Sequence, residues 1–157
     1  MLELRGAPVT NVLKFSDAAT LALHTMAFLA RSPDRIVSVR EIAKLLGASE
    51  AHLSKVLQRL AKGGLVRSLR GPSGGFKLAR QGDKVTLLDV FETIEGPLDV
   101  NPCLLGKRKC NGDSCILGDL PGKMNRRIKD YLSDTHLSAL TNVFGSQRGR
   151  EKKHNKN

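Results

Sequence analysis

The chain has 157 residues, with 26 Lys and Arg against 15 Asp and Glu and a formal charge of +11, a balance that favours a polyanionic partner. One Tyr, no Trp and 4% aromatic residues leave few stacking platforms, which argues against a reader of RNA or single strands and for duplex DNA. No basic segment followed by an apolar core opens the chain, and its most apolar run, Ala18 to Ala30, contains Thr20, His24 and Thr25 and is too short to span a bilayer, so a cytoplasmic protein with no membrane partner is expected.

Residues 1–10 read as irregular. The first helix is predicted from Ser16 or Asp17 to Arg31, stopped by Ser32-Pro33-Asp34. Ala18, Leu21, Ala22, Met26 and Leu29 make one face, and Ala19, Leu23, Ala27 and Ala30 make much of the remainder apolar. A helix apolar nearly all round is buried on two sides, one against its own domain and the other available to a second subunit.

Ser38-Val-Arg-Glu41 has the spacing of a capping box, in which the Ser38 hydroxyl accepts from the Glu41 amide and Glu41 reaches back to the amide of Ser38. It opens a short helix with Ile42, Ala43, Leu45 and Leu46 inward, stopped by Gly47. Ser49 caps the next, where Leu53, Val56, Leu57 and Leu60 form a buried stripe and His52, Lys55, Arg59 and Lys62 a basic face. A short helix, a three-residue turn and a helix with a basic exposed face make a helix-turn-helix, whose second helix lies in the major groove with its N-terminal residues at base edges. Leu65 to Arg70 and Phe76 to Arg80 follow as strands joined by Gly71-Pro-Ser-Gly-Gly75. Arg67, Arg70, Lys77 and Arg80 line or flank this hairpin, a wing suited to backbone or minor groove. The plainer alternative is a three-helix core whose charges are only solvated; the coincidence of basic face, two caps and Arg-flanked turn favours DNA.

Gln81-Gly82-Asp83 is a turn, and Thr86 with Asp89 is a second capping box, ahead of a helical stripe of Leu87, Val90, Phe91 and Ile94 stopped by Gly96 and Pro97. The loop from Pro97 to Gly118 carries Cys103, Cys110 and Cys115, with six and four residues between them. Thiols in a reducing compartment point to metal or redox chemistry rather than structural disulfides. Lys107, Arg108 and Lys109 favour thiolate, the ligand form, and would offset the charge of an iron–sulfur centre. The spacing alone leaves open an iron–sulfur cluster, zinc, metal-free redox thiols and inert cysteines.

Asp119 to Ser133 reads as a helix with a narrow seam of Leu120, Met124, Ile128 and Leu132, beside Tyr131. Such a seam between charged flanks suits either association in a homodimer or packing on the chain's own core. Thr135 is placed to cap a last short helix with Leu137, Leu140, Val143 and Phe144, and from Gly145 the chain is a basic tail expected to be disordered. The Gly71–Gly75 run lies in a hairpin rather than before a helix, so it is no phosphate loop, and no Ser/His/Asp or Cys/His arrangement stands out; no enzyme is expected.

Taken together these residues resemble the family of bacterial dimeric regulators that includes IscR, NsrR and RirA. The resemblance covers about residues 11–142 and is carried by Gly64-Leu-Val-Arg-Ser-Leu-Arg-Gly-Pro-Ser-Gly-Gly-Phe-Lys-Leu-Ala79, Val39-Arg-Glu-Ile-Ala43, Ile94-Glu-Gly96 and the three-cysteine loop. It implies a mainly α fold with a small β-hairpin: a winged helix-turn-helix over 11–96, a cluster-binding loop over 97–118, a dimerisation helix and C-terminal helix over 119–144, and the tail over 145–157. It further implies a homodimer on pseudo-palindromic promoter DNA, expected to repress, with a [2Fe-2S] or [4Fe-4S] cluster between the cysteine loop of one subunit and the first helix of the other. The signal would be nitric oxide, redox state or iron. The alternatives are the same regulator with zinc or redox-active thiols, and an electron-transfer protein.

By the same resemblance Cys103, Cys110 and Cys115 are ligands, and Arg70 is the wing arginine of the minor groove. Ser49, Glu50, His52, Ser54 and Lys55 read the major groove; Arg59, Gly71, Gly74, Gly75 and Lys77 complete the expected DNA surface. IscR-like members place a histidine three residues after the third cysteine, where this chain has Gly118; NsrR-like members use an aspartate near the start of the first helix, and Lys14-Phe-Ser-Asp17 matches that segment, which makes Asp17 the candidate fourth ligand and NsrR-like members the nearer match. His24 and His136 are the reserve ligands. The cysteine spacing departs from that of the best-known members, and His52 and Ser54 replace residue types some members use to read bases.

Overall fold

Helix α1 (Asp17–Ala30) forms the centre of the molecule, because its side chains are apolar on most of its circumference. Ser16 caps it, its hydroxyl oxygen accepting from the Ala19 amide at 3.0 Å. The computed structural model describes residues 15–99, Cys103 and residues 115–145. Cys110, the rest of the cysteine loop and the basic tail from residue 146 lie outside the described residues.

Around α1 stand α2 (Val39–Leu46), α3 (Glu50–Lys62), strands β1 (Val66–Leu69) and β2 (Gly75–Leu78), α4 (Leu87–Glu95) and α5 (Leu120–Asp134), with short 3₁₀ turns at Gly82–Lys84 and Leu137–Leu140. Ala22, Met26 and Leu29 of α1 meet Leu53, Leu57 and Leu60 of α3, Ile42 of α2 and Val90 of α4 in one core cluster. Each large apolar side chain so buried stabilises the fold by roughly 1.5–3 kcal/mol. The predicted stripe of α3 is the buried one: Leu53, Val56, Leu57 and Leu60 are all inaccessible.

The two predicted capping boxes divide. At α4 the box is complete, with the Thr86 amide donating to Asp89 Oδ2 at 2.8 Å and the Asp89 amide to Thr86 Oγ1 at 3.1 Å. At α2 only half forms: Ser38 Oγ accepts from the Glu41 amide at 3.2 Å, while the Glu41 carboxylate pairs with Arg35 at 2.8 Å. A full guanidinium charge outcompetes a single backbone amide for that carboxylate.

The predicted last helix is also corrected. Thr135 does not cap it; its hydroxyl donates to Tyr131 O at 2.7 Å and so closes α5. The backbone next to it pairs sideways, Leu87 N to Thr135 O at 2.9 Å and Leu137 N to Val85 O at 3.0 Å, and Leu137 is driven into the core. With those groups engaged, the segment continues as a single 3₁₀ turn.

Candidate nucleic-acid interface and cysteine loop

The helix-turn-helix is built from the turn outward. Gly47 closes α2 in the left-handed conformation, φ 64°, which a side chain rarely adopts. Two residues later Ser49 Oγ accepts from the His52 amide at 3.1 Å and starts α3. The cap fixes the first turn of α3, where Glu50, His52 and Lys55 stand exposed and Ser54 half-buried. Arg59 belongs to the same helix but is directed elsewhere: its guanidinium donates to the carbonyl of Ile94 at the end of α4.

The wing follows as an antiparallel pair with Val66 opposite Leu78, Arg67 opposite Lys77, Ser68 opposite Phe76 and Leu69 opposite Gly75. Val66 and Leu78 are buried on one face, and Arg67 and Lys77 stand on the other. Two cations directly opposite each other are unfavourable by themselves, and among the described residues no acidic side chain pairs with either. Arg70 stands exposed at the start of the connecting turn, followed by Gly71 at φ 110°.

A third strand-like contact was not legible in the sequence. Val37 pairs with Phe76 from the far side, with Val37 N to Phe76 O at 2.9 Å and Phe76 N to Val37 O at 2.8 Å. That pairing explains Gly75, and the tight turn of the hairpin itself explains Gly74. A Cβ on Gly75 would lie 2.7 Å from the carbonyl carbon of Val37 and closer still to its oxygen, and one on Gly74 would lie 2.9 Å from Gly71 O and closer to Leu69 O. These two glycines, predicted as DNA contacts, therefore have a packing role whatever they touch outside.

Of the predicted ligands, Cys103 is half-buried, Cys115 is exposed, and Asp17 is exposed in the first turn of α1 beside the Ser16 cap. Among the described residues no three His, Cys, Asp or Glu side chains are grouped to hold a metal; Cys110 is outside that set. His24 Nδ1 lies 2.7 Å from Thr20 O, and its ring meets Phe144 edge-on. His136 forms a backbone bridge to Thr86.

On α5, Leu120, Met124 and Tyr131 are exposed at 52%, 49% and 62%, whereas Leu132 is buried. The predicted seam thus turns partly inward and partly to the surface. Phe15, Leu23, Leu87, Ile128 and Leu132 line a cleft of about 380 Å³ between α1, α4 and α5. At the start of α5 the Lys123 ammonium lies 2.6 Å from Asp119 and holds its carboxyl below the usual carboxylate range. No described helix is long and apolar enough to cross a membrane.

A profile described as Rrf2, iron-dependent transcriptional regulator, matches residues 15–143. A protein of Aquifex aeolicus named as an HTH-type transcriptional regulator is 36% identical over 132 residues, 82% of this chain and 92% of that protein. The HTH-type transcriptional regulator IscR of Erwinia tasmaniensis is 33% identical over 107 residues, 68% of this chain and 64% of that one. Among solved structures, CymR, the global cysteine regulator of B. subtilis, is similar with a TM-score of 0.70 at 26% identity, over 84% of this chain and 98% of that one.

Proposed function

The chain belongs to the Rrf2 family of transcriptional regulators, and on that premise we propose that it is a homodimeric repressor of pseudo-palindromic promoters whose DNA affinity is set by an iron–sulfur cluster responding to nitric oxide, redox state or iron. The observation that carries the DNA reading is the unpaired cation couple Arg67–Lys77 on the wing, next to a capped α3 whose first turn is exposed. Phosphates convert that repulsion into attraction. Glu50, His52, Ser54 and Lys55 offer donors and acceptors to base edges.

Cys103, Cys110 and Cys115 would hold the cluster, with Asp17 as the fourth ligand. The donor chemistry fits: thiolates are soft ligands suited to iron–sulfur centres, and one carboxylate on iron is a weaker, exchangeable bond. Bound there, a cluster supplies a centre that oxidants and nitric oxide can dismantle. Asp17 is exposed, so it is accessible to a cysteine loop. The surface-facing Leu120, Met124 and Tyr131 of α5 supply apolar area for the second subunit.

Purification without oxygen, followed by iron and acid-labile sulfide analysis, tests the cofactor. A brown protein with iron and sulfide in equal amounts is expected. A colourless protein holding zinc or no metal would contradict the cluster and leave a DNA-binding regulator.

A further inference from the structure

Five consecutive residues at the end of α4 contact three parts of the molecule: the segment that starts α1, the start of the cysteine loop, and α3 with its cap. Phe91 stacks edge-on against Phe15, just ahead of α1, at 5.4 Å. The Glu92 carboxylate accepts from the amide of Leu98, the second residue of the cysteine loop, at 2.9 Å. Thr93 fills the space beside Gly63, the last residue of the reading-helix cap, where a Cβ would come within 2.6 Å of its methyl group. The Ile94 carbonyl accepts from Arg59 of α3, and the Glu95 carboxylate accepts from the hydroxyl of Ser16, next to Asp17. Successive helical side chains point about 100° apart, so Phe91 and Glu95, four apart, share a face and meet the start of α1, Glu92 and Thr93 face other elements, and Ile94 contributes its carbonyl.

The Ile94 contact is the informative one. The last carbonyls of a helix have no partner within it, and a cation there is favoured by the helix dipole. Arg59 supplies both the hydrogen bond and the charge, from the helix that reads DNA. One short, capped helix therefore touches the cysteine loop, the candidate ligand segment of α1 and the reading head.

We propose that Arg59 is a positioning residue that ties α3 to the end of α4, and that Glu92 and Arg59 together relay the state of the cysteine loop to the reading helix. The inference rests on the DNA-binding reading above. Arg59 then acts on DNA through the placement of α3 and touches neither base nor phosphate.

The test uses duplex DNA selected from a random pool by the wild-type protein. Arg59→Gln lowers affinity about tenfold and leaves the slope of log affinity against log salt unchanged. Unchanged affinity, or a slope shallower by about 0.9, the mark of one lost phosphate contact, overturns the proposal. Glu92→Ala removes a negative charge, which electrostatics alone would reward with tighter binding to a polyanion; the relay predicts weaker binding, and a rise or no change overturns it. A measurement needing no variant rests on reciprocity of coupling: saturation of the wild-type protein with DNA slows hydrogen exchange at the Leu98 amide. Exchange indifferent to DNA there overturns the relay and leaves Arg59 a local fastening. A wild-type protein that selects no duplex at all overturns the DNA-binding reading itself, and this inference with it.

Discussion

Gly75→Ala destabilises the protein by about 1–3 kcal/mol, the usual cost of forcing an atom into a filled site. The new methyl group meets the carbonyl of Val37, and that carbonyl cannot step aside because Val37 and Phe76 exchange both of their backbone hydrogen bonds. Ile36 Cγ2, 3.1 Å from the same position, closes the other route of escape. Relief requires β2 to separate from Val37, which detaches the wing from the segment leading into α2. Thermal unfolding should show a midpoint lower by roughly 2–12 °C for a domain of this size, and affinity for DNA should fall with it. A variant with the wild-type midpoint would show that Val37 does not hold β2.

Arg70→Ala leaves stability within about 0.5 kcal/mol, as expected for an exposed side chain with no partner among the described residues, and weakens specific binding by about 1–3 kcal/mol. The residue is exposed where the first strand of the hairpin enters its turn, ahead of a glycine whose positive φ turns the chain. Arg70→Lys keeps the charge but loses the planar fork and should recover only part of the affinity. Equilibrium titration of a selected duplex at several salt concentrations checks both substitutions. Wild-type affinity in Arg70→Ala would remove the wing from the DNA interface.

The elements of this chain were largely legible because their signals are local. The caps at Ser16, Ser49 and Thr86, the stripe of α3 and the turn at Gly47 each lie within a few residues of what they determine. Where the sequence misled, a distant partner had taken the group in question. Glu41 stands three residues from Ser38, as a capping box asks, but Arg35 folds back to hold it. Arg59 shares a face with Lys55 and Lys62 by helical spacing, yet a carbonyl 35 residues further on captures it. Gly74 and Gly75 announced a turn, while the reason no side chain fits at Gly75 became visible only with Val37 on the far side of β2. Of the candidate site, the reading helix and wing were recoverable from pattern. The cysteine loop rested on three residues and a resemblance, because loop residues follow neither a helical nor a strand period.

Control of a promoter by the proposed cluster requires two states of one protein that differ in their hold on DNA, since a ligand shifts an equilibrium only by its unequal affinity for the two states. The direct measurement is the affinity of a selected duplex for one anaerobic preparation, titrated before and after its iron is stripped by a chelator. Affinities that differ by about tenfold or more, with the difference reversed on reconstitution with iron and sulfide, are the predicted result. Equal affinities from an iron-loaded and a stripped sample would contradict the cluster's control of the promoter.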